Sequence, residues 1–309
     1  MGEPAGPASV RMAGHAVRWS NAARRTPTDP CVNMRLGYNT NGFAHHRLSD
    51  VIAILADLGY TSIAITLDHH FLDPFDRETI GQARIIRERL ANVGMTAVVE
   101  CGSRFLLDPS RKHWPTLLTP NRDDRRRRLE FLTQAIDIAV ILQSEVVSFW
   151  SGAREPGMKE NDAMTLLVDG CGPIVDHAIA RGVNLGFEPE PDMFIDTMDK
   201  YRSLRDQINH ARFGLTLDLG HLHCLNDGAP ADRIREFARS LFNIHIEDMR
   251  RGVHAHLPIG EGDMDFPPIF RALTDVRYEG PVNVELSRHS HDAVNMARRT
   301  LEALKPMMG

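Results

Sequence analysis

The sequence predicts an α/β protein of the (β/α)8 barrel class folded as a single domain, and three observations carry that prediction. From Met34 onward, short apolar runs alternate with longer amphipathic ones about eight times, the pattern of parallel strands joined by crossover helices. Four of the later runs end in a carboxylate or an imidazole, at Glu188, Asp218, His245 and Glu285, with successive members 30, 27 and 40 positions apart. Each step is about one βα unit. Nothing in the 309 residues reads as a domain boundary, and barrels of this class fill such a length as one domain.

The elements follow in order. A first strand over 35–39 leads to a helix over 48–58, closed by Gly59 where a left-handed cap is expected. The second strand, 62–66, precedes Leu67, Asp68, His69 and His70, and a helix over 77–93 is capped by Gly94. The third strand, 97–100, opens into a connection from 101 to 120 that holds Arg104, Arg111, Lys112, His113 and Trp114. Loops of that length without structure of their own are uncommon and often functional. The next helix, 121–142, carries four arginines at 125–128, read as a solvated face whose stems lie over neighbouring side chains. The fourth strand, 146–150, ends in Trp150 and opens into a glycine-containing loop, 151–157, before a helix over 161–180. Strands five to eight then deliver Glu188, Asp218, His245 and Glu285, separated by helices near 199–207, 231–239 and 267–273, and a last helix over 291–304 completes the eighth pair. Residues 1–33, rich in Gly, Ala, Pro and Arg, are expected to be a disordered extension or to follow an upstream start, with the folded domain over 34–309. No hydrophobic stretch follows Arg24 and Arg25, so that pair is not read as an export signal.

Composition narrows the function classes. Hydrophobic residues make up 42% and charged residues 25%, which places the chain with soluble globular proteins rather than disordered ones. No apolar run approaches the ~20 residues a membrane span needs. A formal charge of -5 argues against a general nucleic-acid binder. Cys31, Cys101, Cys171 and Cys224 are scattered without a CxxC pair, as suits a reducing cytoplasm better than a disulfide scaffold.

In a parallel barrel the carboxyl ends of all strands open onto one face, where catalytic groups gather. Glu188, Asp218, His245 and Glu285 therefore converge, and two glutamates, an aspartate and a histidine are the donors that a hard divalent cation with one imidazole ligand asks for.

The same residues carry a resemblance. The segments Gly186-Phe187-Glu188-Pro189, Leu217-Asp218-Leu219-Gly220-His221, Asn243-Ile244-His245-Ile246-Glu247-Asp248, Leu257-Pro258-Ile259-Gly260-Glu261-Gly262 with Asp265-Phe266, and Val284-Glu285-Leu286 resemble the xylose-isomerase-like TIM-barrel superfamily. Within it they are similar to the sugar phosphate isomerase/epimerase branch, over about residues 34–305. The resemblance implies that Glu188, Asp218, His245 and Glu285 are ligands of a divalent ion, Mn foremost, with Zn, Mg, Co and Fe as alternatives. It further implies that Glu188 and Glu285 double as the acid/base pair and that His221 contacts substrate. The expected activity is isomerisation or epimerisation of a small sugar, keto-sugar or sugar phosphate through an enediolate. Two opposed glutamates give epimerisation and one shuttling carboxylate gives isomerisation; the sequence leaves both open.

Further residues shape the alternatives. His254 and His256 stand where the endonuclease IV branch has an acid-x-His element, and together with His221 they are a possible second metal site, which would turn the chemistry toward hydrolysis or elimination on a glycoside or phosphodiester. His256 is alternatively a substrate contact. His70, beside His69 at the end of strand two, is a further candidate for substrate or metal. Arg104 and Lys112, with His113, are candidates for clamping a phosphate or carboxylate, and Trp150 for an apolar wall against a sugar ring. A non-catalytic metabolite-binding barrel is the third reading. The expected partner is a small carbohydrate-like molecule, with neither nucleic acid nor membrane, and a homodimer is possible.

Overall fold

Nearly every strand residue is buried, because one face of each strand meets helices and the other the barrel interior. The computed structural model describes residues 34–308, so the expectation for 1–33 lies outside the described residues. The barrel strands are β1 (Arg35–Asn39), β2 (Ser62–Thr66), β3 (Thr96–Glu100), β4 (Val146–Phe149), β5 (Asn184–Phe187), β6 (Phe213–Asp218), β7 (Leu241–Ile246) and β10 (Pro281–Val284). All pair in parallel and close in the order β1-β10-β7-β6-β5-β4-β3-β2. Around them run α1 (Leu48–Leu58), α2 (Thr79–Asn92), α3 (Arg122–Leu142), α4 (Glu160–Arg181), α5 (Met198–Ile208), α7 (Pro230–Phe237), α8 (Phe266–Asp275) and α9 (Ala293–Leu304). The expected (β/α)8 architecture is the one found. Gly59 takes the left-handed conformation at φ 102° that ends α1, and Asn121 caps α3 by accepting from the amides of Asp123 and Asp124. No helix among the described residues is long and apolar enough to cross a membrane. Cys101, Cys171 and Cys224 are buried and unbonded.

Two elements depart from the expected pattern. A seven-residue helix, α6 (Leu219–Leu225), starts directly after β6 because the Asp218 side chain caps it, accepting from the amide of His221. Two turns are too short for an apolar period to show in the sequence. A small antiparallel hairpin, β8 (Asp248–Arg250) with β9 (Val253–Leu257), follows β7 and turns at Gly252. Its strands are partly exposed and carry charged and histidine side chains, so no hydrophobic alternation announces it.

The reading of 125–128 as a solvated face is corrected at Arg128. That residue is 1% exposed, because it lies on the face of α3 that also buries Phe131, Leu132 and Ala135. Its guanidinium donates to Ser103 Oγ and to the Cys101 carbonyl, 3.4 Å away. It also stacks 4.9 Å from the Trp150 ring centroid and 5.3 Å from that of Phe131. Burial lowers it to about 10. Arg128 therefore anchors the start of the long 101–120 loop to the helix beneath it.

The barrel interior is filled in layers. Ala64, Val98 and Val146, with Phe242 against them, form an apolar cluster separate from the main core between strands and helices. The side chains become polar toward the carboxyl ends, where Asn283 Nδ2 donates to Asn243 Oδ1 at 2.9 Å. Gly37 makes room for that pair, since a Cβ there would lie 1.9 Å from Asn283 Oδ1 and 2.8 Å from the Ser62 Cβ. Gly37→Ala should accordingly cost about 1–3 kcal/mol of stability through overpacking, read as a lower urea midpoint at unchanged slope; an unchanged midpoint would mean that Asn283 moves freely.

Candidate active site

Strand geometry assembles the acidic centre. Asp218 pairs in register with His245, which pairs in turn with Asn283; Glu188 and Glu285 are the first residues beyond β5 and β10. The four predicted ligands thus reach one level of the barrel mouth, with ligand atoms all within 4.8 Å of one another. His245 Nδ1 lies 2.9 Å from Glu188 Oε1, 3.0 Å from Glu285 Oε2 and 4.0 Å from Asp218 Oδ2. Asp218 divides its oxygens: Oδ1 accepts from the His221 amide at 2.8 Å, whereas Oδ2 is buried with no hydrogen-bond partner. Three carboxylates around one imidazole, with one oxygen left unsatisfied, fit a divalent cation by both charge and donor type.

Glu100, at the end of β3, braces this centre from across the barrel. His245 Nε2 donates to Glu100 Oε1 at 2.9 Å, and Asn243 Nδ2 donates to the same oxygen at 3.1 Å. With Nε2–H donating to Glu100, Nδ1 is the nitrogen turned to the acidic cluster, the arrangement by which a second carboxylate orients a ligating histidine. Burial works against protonation of His245, and Glu188, Glu100 and Glu285 outweigh it, raising the ring well above its ordinary value. Burial also lifts Glu188 to about 7, opposed by His245 and assisted by Glu285 and Asp218. Glu285 is driven the other way, for although burial raises it, the contact with His245 prevails and holds it below the usual carboxylate range. Asn41 Nδ2 steadies Glu285 by donating to Oε1 at 2.7 Å.

A histidine cluster adjoins the acidic one. His254 and His256 are two apart on β9 and so share a face, which meets His221 of α6 at ring separations of 4.9 and 5.7 Å. His221 Nδ1 faces the Pro189 carbonyl at 3.4 Å, a contact that requires the proton on Nδ1 and leaves Nε2 a bare acceptor. Burial lowers His221 to about 4. His221 Nε2, His254 Nε2 and His256 Nδ1 have no hydrogen-bond partner, and the three rings form a second potential ligand group. Glu247 lies behind them, fully buried and with neither oxygen bonded, 3.8 Å from His256 Nδ1. Burial, then the Asp218 charge, raises Glu247 well above its ordinary value. It sits so close to α6 that a Cβ on Gly220 would lie 2.0 Å from its Oε1.

These groups line a cavity of about 420 Å³ at the barrel mouth, walled by Glu100, Glu188, Glu190, His245, His254, His256 and Glu285 below and by Arg104, Phe105, Lys112, His113, Trp150 and Arg288 toward solvent. The structure thus brings Arg104, Lys112, Trp150 and His256 into one cavity wall. Asp218 and His221 sit just behind the wall, against a neighbouring recess. His70 is different: it is exposed, is not part of the cavity wall, and packs against Phe71 and His69. The turn after β2 directs it outward, with Asp68 accepting from the His69 amide at 2.7 Å. His113 is no cation for a clamp, because burial, reinforced by Lys112, Arg128 and Arg104, lowers it to about 4 against the opposing pull of the Gly102 carbonyl, to which its Nδ1 donates at 2.6 Å.

Sequence reasoning passed over Glu100, Glu190, Glu247, Asn41 and Arg288. Glu100 carried a usable signal, since it ends a strand as the other four do. Glu190 and Glu247 each lie two residues past a ligand, a spacing that says nothing until the turn geometry is known.

A family model described as xylose isomerase-like TIM barrel matches residues 52–307. An L-ribulose-5-phosphate 3-epimerase of Salmonella paratyphi A is 26% identical over 251 residues, 78% of this chain and 85% of that one. A ketose 3-epimerase of Arthrobacter globiformis is 23% identical over 232 residues, 74% of each. An uncharacterized protein of Methanocaldococcus jannaschii is 25% identical over 186 residues, a match spanning 56% of this chain and 61% of that one. Among solved structures, D-allulose 3-epimerase from Methylomonas sp. in complex with D-allulose gives a TM-score of 0.71 at 19% identity, covering 89% of this chain and 97% of that one. The IOLI protein with a bound zinc atom gives 0.70 at 16%, covering 89% and 98%. Both structural likenesses concern the fold.

The bracing role of Glu100 is open to direct measurement. Glu100→Gln should weaken divalent-metal binding by about 10–100-fold, read by competition with a chromogenic chelator, while the thermal midpoint shifts little. Unchanged affinity would remove Glu100 from the orientation of His245.

Proposed function

The chain belongs to the xylose isomerase-like TIM-barrel family, and from that premise we propose a divalent-metal-dependent enzyme of the sugar isomerase/epimerase kind, acting at the carbon beside a carbonyl. The observation that carries this reading is the pair Glu188 and Glu285. They come from different strands and meet the same His245 nitrogen at 2.9 and 3.0 Å, so that two carboxylates, one to act as acid and one as base, reach a single point of the cavity. Two carboxylates on different strands favour proton removal and return at opposite faces, hence epimerisation, and the names of the two epimerase relatives point the same way.

The cation would be held by Glu188, Asp218, His245 and Glu285, with Mn the expected ion and Zn the one named for the IOLI structure. When bound, it polarises the substrate's carbonyl and neighbouring hydroxyl oxygens and so eases enediolate formation. The chain's own groups do the rest. Glu285, held by Asn41, takes the proton; Glu188 returns one; Glu100 keeps His245 oriented; Trp150 walls the sugar ring; and His113, protonated on Nδ1, offers Nε2 as an acceptor to a substrate hydroxyl.

A second reading rests on the bare nitrogens of His221, His254 and His256. Another ion there would turn the centre toward hydrolysis or elimination. Metal analysis after gentle purification separates the readings, with about one ion per chain expected for the epimerase and two or three for the alternative. During turnover of a ketose in deuterated water, deuterium should enter the carbon beside the carbonyl, and unlabelled product would overturn the proton-transfer reading. Glu188→Gln and Glu285→Gln, assayed at saturating Mn, should each lower kcat by about 10²–10⁴-fold.

A further inference from the structure

The cavity is electrically two-ended. Its floor holds the carboxylates, and its mouth holds Arg104, Lys112 and Arg288. None of these three cations forms an ion pair among the described residues; the neighbouring Arg111 of the same loop, by contrast, is tied to Asp108 at 2.7 Å. Arg104 is half-buried and aimed, its Nη2 donating to the Asn41 carbonyl at 3.3 Å. Asn41 is also the residue whose side chain holds Glu285, so the cationic side begins one residue away from the acidic floor. Arg288 approaches from the opposite loop, three residues beyond Glu285. The field at the mouth acts on His113: after burial, the charges that lower it are Lys112, Arg128 and Arg104. Unpaired cations around a cavity that ends in carboxylates are poorly matched to a neutral sugar. They match a molecule with a carbonyl at one end and an anion at the other.

Resting on the isomerase/epimerase reading, we propose that the substrate is an anionic sugar, its carbonyl end over Glu188 and Glu285 and a terminal phosphate or carboxylate held by Arg104, Lys112 and Arg288. Arg104 and Arg288 present planar donor forks, which suit either oxyanion, and Lys112 adds a mobile point charge. Exposed Phe105 at the mouth covers the carbon chain between the two ends.

The test is calorimetric and needs no turnover. The Mn-loaded full chain is titrated with D-xylulose, D-xylulose 5-phosphate, 5-keto-D-gluconate and inorganic phosphate. An anionic ketose should bind at least about tenfold more tightly than D-xylulose, the phosphate ester or the sugar acid identifying which oxyanion is used. Lys112→Ala combined with Arg288→Ala should weaken the preferred anionic ketose about tenfold more than it weakens D-xylulose, and added salt should erode the same preference. Equal affinities for neutral and anionic ketoses, or a preference that survives the double variant, overturn the proposal. If no ketose binds, inorganic phosphate decides: binding lost in the double variant supports the clamp, and absent binding refutes it. Deuterium exchange without charge preference would sink the clamp alone, and charge-selective binding without exchange would sink the epimerase reading alone.

Discussion

The crowding of Glu188, Asp218 and Glu285 around one nitrogen of His245 is the constraint on which the rest of the molecule depends. Like charges within a few ångströms in a buried site repel strongly, because the interior screens poorly. The structure meets that repulsion with the imidazole, with Asn41 on one glutamate and the α6 amide on the aspartate, and still leaves Asp218 Oδ2 bare. Such an arrangement holds only on a rigid frame. The closed barrel is that frame, since each of the four side chains stands on, or one residue past, a strand paired on both sides.

The frame also explains what was legible in the sequence. Strand ends are visible as the points where apolar runs stop, and in a parallel barrel all of them face one way, so Glu188, Asp218, His245 and Glu285 could be grouped before any coordinates. Their helices were legible to within a few residues for the same reason. The unreadable parts depend on turns. Asp218 serves as strand end and helix cap at once, which hides α6, and His254 and His256 share a face only because a hairpin forms around Gly252. Arg128 looked like its three arginine neighbours, and only its angular position on α3 separates a buried anchor from a solvated charge. Glu100 was a missed inference rather than an unreadable one: it ends a strand, but its partner stands across the barrel, at a separation of 145 residues.

His245 and His221 are set in opposite states. His245 is pinned through both nitrogens by carboxylates, which favours its charged form. His221 is pinned through one nitrogen by a carbonyl and buried, which favours its neutral form with a free lone pair. The same residue type is therefore set by backbone and carboxylate neighbours into two chemical states a few ångströms apart. Glu247 stands behind the histidine cluster, pressed against Gly220, where burial raises it and the adjacent His256 opposes that shift.

Division of labour along the barrel axis follows from these states. An interior cluster of Ala64, Val98 and Val146 is apolar; Asn243 and Asn283 form a buried polar pair; and the carboxyl ends, Glu100 among them, carry the groups that line the cavity. Above them, the loop 101–120 is tied down by Arg128 from below and by the His113 contact with Gly102 from within. A loop anchored at both levels holds Arg104 at a fixed height over the floor, with His113 packed edge-on against Trp150 just past the end of β4. Mouth and floor are joined at Asn41, which touches Arg104 with its carbonyl and Glu285 with its carboxamide, so a change at this one residue reaches both.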